Sequence, residues 1–331
     1  LSSSAISEAA SSLVIGTLST TDSDQTAGVK PIYALAELAG SDHAAFSINQ
    51  ATGELSLKAQ PDFETKSSYS VTILSTDEGG KTFSKTFSIA ITDANDAPTV
   101  ANAIADQTIA EDSALSFQFA SDVFSDVDAG DSLTYTATLS DGSALPSWLS
   151  FNAASRTFSG TPLNGDVGAI EVKVTATDSG SAAIIDTFKI SVSDTNDAPT
   201  VANAIMDQTI AEDTALNFQF NSNVFADVDA GDRLTYTASL SDGSALPSWL
   251  SFNAASRTFS GTPLNGDVGA IEVKVTATDS GSATIADTFK ITVSNTADAP
   301  NSISFSSNSV SENVMGAVVG DIIVEDDDND V

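Results

Sequence analysis

Acidic and amide side chains recur at fixed places in this chain, and they are of the types that hold hard metal ions. The segment Asp93-Ala94-Asn95-Asp96-Ala97-Pro98 returns as Asp194-Thr195-Asn196-Asp197-Ala198-Pro199. Each copy sets two carboxylates and one amide within four residues, and Ca²⁺ takes roughly six to eight oxygen ligands of such kinds. Zinc or copper would favour histidine and cysteine, of which the chain has one and none. A single aspartate is often only a turn residue or a cap, but the repeated groups predict calcium sites.

The charge balance limits the classes of partner. Asp and Glu number 45 against 12 Lys and Arg, which gives a net charge of −33. Such a chain repels nucleic acid and anionic membrane surfaces, which argues against both as partners. Evenly spread acidic residues would indicate halophilic solvation, but these are clustered, which favours bound cations. With no cysteine, neither disulfides nor thiolate sites can form.

Targeting signals are not visible in the sequence. Residues 1–12 lack the basic segment and apolar core of a signal peptide. No apolar run approaches the roughly 20 residues that span a bilayer. We expect any anchor or export signal to lie outside this sequence.

A period of 101 residues organises the chain. Two copies, residues 99–199 and 200–300, differ at 13 of 101 positions. Because such near-identity indicates recent duplication, the few changes are more informative than the unchanged residues. We predict a first repeat at residues 1–98, two further repeats at 99–199 and 200–300, and the start of a fourth at 301–331. Hydrophobic residues make up 41% of the chain, enough to build a core in each repeat.

The elements that must position the acidic groups are β-strands. Ile170, Val172, Val174 and Ala176 alternate with polar residues, the period of a strand with one buried face. Clusters of Gly, Asn, Asp and Ser separate such runs, and no stretch keeps a helical period over three turns. Short strands in units of about 100 residues predict an all-β fold of tandem Greek-key, Ig-like β-sandwiches.

Trp148 and Trp249 have two interpretations. Each lies in a Leu-Pro-Ser-Trp-Leu-Ser-Phe segment. An aromatic platform for a sugar is one interpretation, and a core tryptophan beside a strand is the other. We favour the core, because each repeat has one tryptophan and its flanking residues are apolar.

The motifs resemble those of the cadherin repeat superfamily, in which D-x-N-D-x-P closes a strand as the linker. The first unit resembles a full cadherin repeat, with matching positions at Glu8, Asp22-Ser23-Asp24, Asp62-Phe63-Glu64 and Thr76-Asp77. The next two units are similar to dystroglycan-type cadherin-like domains, also described as Ig-like, through Asp126-Val127-Asp128-Ala129-Gly130-Asp131, Leu145-Pro146-Ser147-Trp148-Leu149 and Ser159-Gly160-Thr161-Pro162. The tail places Glu312 and Asp326-Asp327-Asp328 in the positions that open a fourth repeat.

The resemblance implies a shared calcium site at each junction between repeats. At the first junction it implies Glu8, Asp62, Glu64, Asp93, Asn95, Asp96, Asp126, Asp128 and Asp178. At the second it implies Glu111, Asp194, Asn196, Asp197, Asp227, Asp229 and Asp279. Ligands at the outer ends would be Asp22, Asp24, Asp77, Asp298, Glu312, Asp326 and Asp328. The second and third units lack a clear D-x-E, so Asn164 or Asp166 is expected to substitute for it.

The third junction departs from the linker motif. Asn295 replaces the first aspartate, and Ala297 replaces the asparagine. Two of only 13 changes therefore fall on implied ligands. We predict a weaker calcium site and a more flexible joint there.

These observations together predict a calcium-dependent adhesion or extender segment of an extracellular or cell-surface protein, an extended rod of sandwiches as in large bacterial adhesins. Its partners would be neighbouring repeats and a surface polysaccharide or another cell's surface protein. A carbohydrate-binding module is the alternative function. Homophilic adhesion is less favoured because no distal tip strand is visible. An enzyme is least favoured, because His43 is the single histidine and no nucleophile motif is present.

Overall fold

The computed structural model describes residues 1–24, 26 and 29–325. The protein is 44% strand and 3% helix, which confirms the all-β class. Two compact units form, one of residues 1–109, 113–162 and 168–192, the other of residues 110–112, 163–167 and 193–331. The helical segments of the described residues are short 3₁₀ turns at His43–Ala45, Asn164–Asp166 and Asn265–Asp267. Over the same residues, no helix has the length and apolar character needed to cross a membrane.

The first sandwich packs a four-stranded sheet on a three-stranded one. Its strands are β1 (Ala5–Ser7), β2 (Val14–Thr17), β3 (Ile32–Leu35), β4 (Phe46–Asn49), β5 (Glu54–Leu57), β6 (Ser68–Thr76) and β7 (Thr82–Thr92). The sheets have the orders β1-β7-β6-β3 and β2-β5-β4. β1 runs parallel to β7, and β6 is antiparallel to it. β4 and β5, and β6 and β7, form hairpins within one sheet, whereas the other successive strands cross between the sheets, as in Ig-like sandwiches. Phe46, Leu55, Val71 and Ile89 are fully buried between them.

The second sandwich repeats this plan. Its strands are β8 (Thr99–Val100), β9 (Gln107–Ala110), β10 (Leu115–Gln118), β11 (Phe124–Ser125), β12 (Thr134–Leu139), β13 (Leu149–Asn152), β14 (Thr157–Gly160), β15 (Gly168–Thr177) and β16 (Ala183–Ser193). The sheets are β12-β15-β16-β9 and β10-β14-β13, with β8 and β11 paired separately. Val172, Val174 and Ala176 are fully buried, so the alternation seen in the sequence does mark the core face of β15.

The third sandwich has the same order of strands. They are β17 (Thr200–Val201), β18 (Gln208–Ala211), β19 (Leu216–Gln219), β20 (Phe225–Ala226), β21 (Thr235–Leu240), β22 (Leu250–Asn253), β23 (Thr258–Gly261), β24 (Gly269–Thr278) and β25 (Thr284–Ser294). The sheets are β18-β25-β24-β21 and β19-β23-β22, with β17 paired to β20. β18 runs parallel to β25.

A hairpin follows the third sandwich. β26 (Ser302–Phe305) pairs antiparallel with β27 (Ile322–Glu325). Ile303 and Phe305 are exposed on it. The prediction that residues 301–331 open a fourth repeat stays a prediction.

The tryptophans belong to the cores. Trp148 packs against the core of the second sandwich and Trp249 against that of the third. The neighbouring strand approaches the backbone of each so closely that only glycine fits, because a Cβ on Gly160 would lie 1.7 Å from the Trp148 carbonyl oxygen and one on Gly261 would lie 1.7 Å from that of Trp249. This packing favours the core interpretation over a sugar platform.

Candidate metal centre

Glu8 anchors the first junction. It follows β1, and its N–H donates to the Thr92 carbonyl at 3.2 Å, since β1 runs parallel to β7. Its Oε1 accepts the Ala94 N–H at 2.7 Å, and its Oε2 accepts the Phe63 N–H at 2.6 Å. With 8% of its surface exposed, the carboxylate is fixed between the linker and the loop before β6.

Further carboxylates converge on Glu8. One oxygen from each of Glu8, Glu64 and Asp93 lies within 4.8 Å of the others. The same holds for Glu64, Asp96 and Asp128. These five residues are called the first-junction cluster. Asp128 belongs to the second sandwich, so the cluster draws side chains from two sandwiches and from the linker between them.

The cluster is electrostatically unfavourable as it stands. Loss of hydration raises the pKa of Glu64, and the Glu8 and Asp93 carboxylates raise it further. Loss of hydration likewise raises the pKa of Asp96, with repulsion from Glu8 and Asp128 adding to it. A raised carboxyl pKa means that the fold disfavours the ionised form. A bound cation would offset both the lost hydration and the repulsion between the carboxylates.

A second group of carboxylates lies on the second sandwich. Oxygens of Asp126, Asp128 and Asp131 are within 4.8 Å of one another. Asp126 Oδ1 accepts the Asp128 N–H at 3.0 Å. Asp131, which the sequence analysis did not predict as a ligand, accepts the Ser179 hydroxyl at 2.5 Å. Asp126, Asp128 and Asp131 have the spacing D-x-D-x-x-D, and this spacing is the signal by which the sequence could have indicated Asp131.

Asn95 connects the linker to the loop after β15. Its Nδ2 donates to Asp178 Oδ2 at 2.9 Å and to the Asp96 carbonyl at 2.8 Å. Asp178 is 5% exposed, and its Oδ1 accepts the Ala182 N–H at 2.8 Å. The approach requires Gly180, because a Cβ there would lie 1.8 Å from Asn95 Oδ1.

The D-x-E position and its expected substitutes differ in what they contact. Both oxygens of Asp62 bond Thr65, through its N–H at 2.8 Å and its hydroxyl at 2.9 Å. The Thr65 N–H also lowers the pKa of Asp62. Asp166 accepts the Leu163 N–H at 3.0 Å, inside its own turn. Asn164 instead reaches the second junction, so of the two expected substitutes it is the one near other predicted ligands. A ligand role for Asp62 stays a prediction.

The second junction, in the unit that holds the third sandwich, is built around Glu111. Its Oε1 accepts the Thr195 N–H at 2.9 Å, and the residue is 1% exposed. Its Oε2 is buried without a hydrogen-bond partner among the described residues. Oxygens of Glu111, Asp194 and Asp229 lie within 4.8 Å of one another.

Asp112 adds an acidic group that the motifs did not predict. The Thr195 N–H lowers the pKa of Glu111, but loss of hydration and repulsion from Asp194 leave it raised, with Asp112 contributing. Loss of hydration, followed by repulsion from Asp112, raises the pKa of Asp197. Asp112 has φ 57°, a left-handed conformation that Asp tolerates better than most residues. It adds a carboxylate to a repeat that lacks D-x-E.

The aspartates after β20 complete the second junction. Oxygens of Asp227, Asp229 and Asp232 lie within 4.8 Å of one another. Asp229 Oδ2 accepts the Asp197 N–H at 2.8 Å, and its Oδ1 accepts Asn164 Nδ2 at 3.0 Å. Asp232, like Asp131, was not predicted as a ligand.

The asparagine contact also recurs at the second junction. Asn196 Nδ2 donates to Asp279 Oδ2 at 3.0 Å, and a Cβ on Gly281 would lie 1.8 Å from Asn196 Oδ1. At both junctions, therefore, the linker asparagine donates a hydrogen bond to the aspartate in the same place of the following repeat.

The third junction keeps the buried glutamate. Glu212 is 2% exposed, its Oε1 accepts the Thr296 N–H at 2.8 Å, and its Oε2 is buried with no hydrogen-bond partner among the described residues. It was not predicted, although it stands 101 residues after Glu111. Within the described part of the chain, no group of three clustered carboxylates includes Glu212. Asp298 is half-buried and Glu312 exposed, while Asp326 and Asp328 lie outside the described residues.

The far end of the first sandwich has the start of a similar arrangement. Asp22 Oδ1 accepts the Asp24 N–H at 3.5 Å, and Asp77 Oδ1 accepts the Lys81 N–H at 2.7 Å. A side-chain hydrogen bond with Asp24 raises the pKa of Asp22, and repulsion from Asp77 adds to it. These hydrogen bonds match those of Asp126 and Asp178, and a ligand role for Asp22, Asp24 and Asp77 stays a prediction.

The donor sets fit calcium. Asp126 Oδ2, Asp128 Oδ1, Glu111 Oε2 and Asp227 Oδ2 are buried, and none has a hydrogen-bond partner among the described residues. A buried carboxylate oxygen without a partner is costly unless a cation balances it. Every clustered side chain offers oxygen, the donor that Ca²⁺ prefers. The residues present at the first two junctions could therefore hold the ion.

The fold and its acidic linkers define a tandem Ig-like and cadherin-like β-sandwich protein. The chain belongs to the "Putative Ig domain" family, whose sequence model matches residues 97–193 and 198–294. The model of the "Cadherin domain" family matches residues 2–92. The resemblance inferred from the motifs is confirmed.

Solved structures share the fold. The protocadherin gamma B2 extracellular cadherin domains 1–5 superpose with a TM-score of 0.63 at 18% identity, over 90% of this chain and 60% of that one. Mouse cadherin-23 EC22–24 gives a TM-score of 0.62 at 16% identity, over 89% of this chain and 96% of that one. At these identities the likeness concerns the fold alone.

Curated relatives come from bacteria. The "Serine-rich adhesin for platelets" of Staphylococcus aureus strains USA300 and NCTC 8325 is 32% identical over 149 residues, which is 45% of this chain. The chain spans about 6% of the length of these relatives.

Proposed function

We propose that this chain is a calcium-dependent extender segment of an extracellular surface adhesin, in which Ca²⁺ at the junctions holds tandem β-sandwiches in a fixed orientation. The observation that carries the proposal is the first-junction cluster, in which oxygens of Glu64, Asp96 and Asp128, from two sandwiches and their linker, lie within 4.8 Å of one another. An ion bound there has ligands on both sides of the joint. Its binding free energy then opposes bending of the linker.

The chemistry explains when the joint would stiffen. Without a cation, the carboxylates of the cluster are unfavourable, since loss of hydration, followed by mutual repulsion, raises the pKa values of Glu64 and Asp96. Extracellular calcium modules have dissociation constants of roughly 10⁻⁴–10⁻³ M, far above cytosolic calcium concentrations. The segment would therefore become an extended rod only after export, which fits an extracellular or cell-surface location.

An adhesive role is supported by relatives. The curated matches are named adhesins, and the solved structures are cadherin ectodomains. In this proposal the chain binds its neighbouring repeats and holds a distant binding head away from the cell, where the partner is a surface polysaccharide or another cell's surface protein. Catalysis, nucleic-acid binding and membrane insertion have no part in the proposal.

Small-angle scattering of the full chain tests the proposal. We expect the maximum dimension to become larger and better defined in 2 mM calcium (about the extracellular range) than in chelator. The variant D96N with D197N removes one charged carboxylate from each of the first two junctions, and we expect it to resemble the chelated protein at intermediate calcium.

The matched control removes two charges elsewhere. Asp141 and Asp242 each bond a serine in their own turn, Ser143 and Ser244. We expect D141N with D242N to respond to calcium as the parent does. The proposal is wrong if scattering is the same with and without calcium, or if magnesium at equal ionic strength has the same effect as calcium.

A further inference from the structure

A second kind of site lies on the third sandwich, where Arg233 directly follows Asp232 of the second junction. A cleft of about 510 Å³ is lined by Arg233 and Tyr236 on one side and by Ala254, Ala255 and Arg257 on the other. The volume lies within the range of small-ligand pockets, roughly 300–1,000 Å³. Leu234 and Thr235 complete the lining, which thus combines two arginines and one tyrosine with apolar residues and one hydroxyl.

The two arginines carry charge that the fold does not neutralise. The chain has 45 acidic residues, yet within the described residues Lys66 and Asp42 form the single ion pair. Neither Arg233 nor Arg257 pairs with a carboxylate there. Arg257 Nε is also buried without a hydrogen-bond partner. A pair of unpaired guanidinium groups in a chain of net charge −33 is a local positive site available to an anion.

The near-identical second repeat shows which residue creates the pair. Position 132 is serine where the third repeat has Arg233, while Tyr135 and Arg156 match Tyr236 and Arg257. Of the 13 differences between the repeats, this is the one that introduces a charged side chain. Asp122 and Asp194 change to asparagine, so the third repeat is less negative than the second by three charges.

Contacts within the fold hold the Tyr236 ring and the backbone of Arg257, whereas the Arg233 side chain is exposed. The Tyr236 ring meets Phe220 edge-on at 5.6 Å and Phe225 at 5.8 Å. Arg257 has φ 55° in the turn between β22 and β23, where its N–H donates to the Ala254 carbonyl at 3.3 Å. The Tyr236 and Arg257 sides of the cleft are therefore in place before any ligand arrives, which lowers part of the entropic cost of binding.

We propose that this cleft binds the carboxylate of a hexuronate in an acidic polysaccharide. Guanidinium groups bind carboxylates through paired, charge-assisted hydrogen bonds. An aromatic ring with neighbouring methyl groups suits the apolar face of a sugar ring. Extended nucleic acid needs many phosphate contacts, and the chain has 12 basic residues in all. The inference is separate from the junction sites, because Arg233 and Arg257 belong to neither acidic cluster.

Binding of a fluorescein-labelled tetramer of β-1,4-linked glucuronate to the full chain, followed by anisotropy in constant calcium, tests the proposal. We expect one equivalent to bind. R233S and R257Q should each weaken binding about tenfold or more, since one of two charge-assisted contacts is lost. R156Q makes the same change in the second repeat and should leave binding unchanged.

A gain of binding is the sharper measurement. S132R gives the second repeat the missing arginine, and we expect a second equivalent to bind. The proposal is overturned if S132R adds no site, if R156Q weakens binding as much as R257Q, or if neutral maltotetraose competes equally. Equal competition by tetraglutamate would overturn the assignment to a sugar and indicate an acidic peptide.

Calcium titration of R233S separates this site from the proposed extender function. We expect calcium stoichiometry and the calcium-dependent change in scattering to match those of the parent. If R233S loses uronate binding but keeps the calcium response, the arginine acts in the cleft alone. If the parent binds uronate but shows no calcium response, the proposed extender function is wrong and the cleft proposal stands.

Discussion

Asp42 shows what a carboxylate of this chain gains from a counter-charge. Lys66 Nζ bonds its Oδ1, and the Ser70 N–H donates to its Oδ2 at 2.8 Å. The hydrogen bond from Lys66, followed by that from Ser70, lowers the pKa of Asp42. A lowered folded-state pKa stabilises the fold above the unfolded pKa, and this contribution is lost as pH falls through the folded value.

The substitution D42N should therefore destabilise the first sandwich at neutral pH. We expect a loss of about 1 kcal/mol, kept small because the Lys66 side chain is 41% exposed. The difference from the parent should shrink below about pH 4, where unfolded aspartate is protonated. Hydrogen exchange of the amides of β6 measures it. E37Q, at an exposed glutamate, is the control, and a pH-independent difference would contradict the electrostatic origin.

Gly180 is a steric requirement of the first junction. A Cβ there would lie 1.8 Å from Asn95 Oδ1 and 2.2 Å from its Cγ. Since Asn95 is tied to Asp178, we expect G180A to displace the amide and weaken calcium binding at this junction by about tenfold, the loss expected from removing roughly 1.4 kcal/mol. Isothermal titration of the full chain measures this loss.

Two further glycine variants make this prediction specific. G281A should reproduce the effect at the second junction, because a Cβ on Gly281 would lie 1.8 Å from Asn196 Oδ1. G165A should have little effect, because a Cβ on Gly165 meets nothing within 4 Å. Equal calcium affinity in all three variants would show that Asn95 and Asn196 are not needed.

At the scale of elements, strand pairing places one glutamate at the start of each linker. β1 beside β7 and β18 beside β25 are parallel pairs, so the residue after the first strand lies next to the residue after the last. Glu8, Glu111 and Glu212 each accept a linker N–H, at 2.7, 2.9 and 2.8 Å. The sites therefore depend on sheet topology as much as on the linker sequence.

This dependence explains how far the sequence could predict the site. The alternation in residues 170–176 predicted β15 and its core face, and the spacing of Asp93, Asn95 and Asp96 predicted the linker site, since both are local patterns. The contact of Asn95 with Asp178 spans 83 residues and needed the resemblance to known repeats. Asp112 has no motif, and its position follows from a left-handed turn that the sequence does not specify.

The buried glutamates also give an element-scale prediction. Glu111 Oε2 is buried with no hydrogen-bond partner among the described residues, and the Glu111 carboxylate lies beside that of Asp194. The glutamine of E111Q keeps one oxygen that accepts the Thr195 N–H. Its amide NH₂ replaces the other oxygen and can donate a hydrogen bond to a neighbouring carboxylate. We expect E111Q to raise thermal stability in chelator and to lower it in calcium relative to the parent, because it removes both a repulsion and a ligand.

Glu212 supplies the matched comparison. Its Oε1 also accepts a linker N–H, but within the described residues it lies in no carboxylate cluster. E212Q should therefore change calcium stoichiometry and calcium-dependent stability less than E111Q does. Scanning calorimetry with and without calcium measures both variants. If the two lose the same amount of calcium binding, the difference between the second and third junctions is not real.

For the whole molecule, the net charge of −33 means that, under the proposed function, bound calcium would be needed to hold each joint. Like charges at neighbouring joints repel and favour open, variable linkers, whereas bound ions neutralise the charge locally. A chain with unequal joints would stiffen in steps as calcium rises. The order of the steps is set by how many charged ligands each linker keeps.

Restoring the third linker tests this order directly. N295D with A297N recreates the Asp-x-Asn-Asp sequence of the first two linkers, beside a Glu212 that is already buried and bonded to the Thr296 N–H. More charged oxygen ligands raise calcium affinity, so we expect the variant to bind additional calcium at concentrations where the parent's third junction is empty. Equilibrium dialysis with radioactive calcium measures the stoichiometry. The reverse change in the second linker, D194N with N196A, should remove calcium at the same concentrations. If neither variant alters stoichiometry, the linker side chains do not determine which joints of the molecule are held rigid.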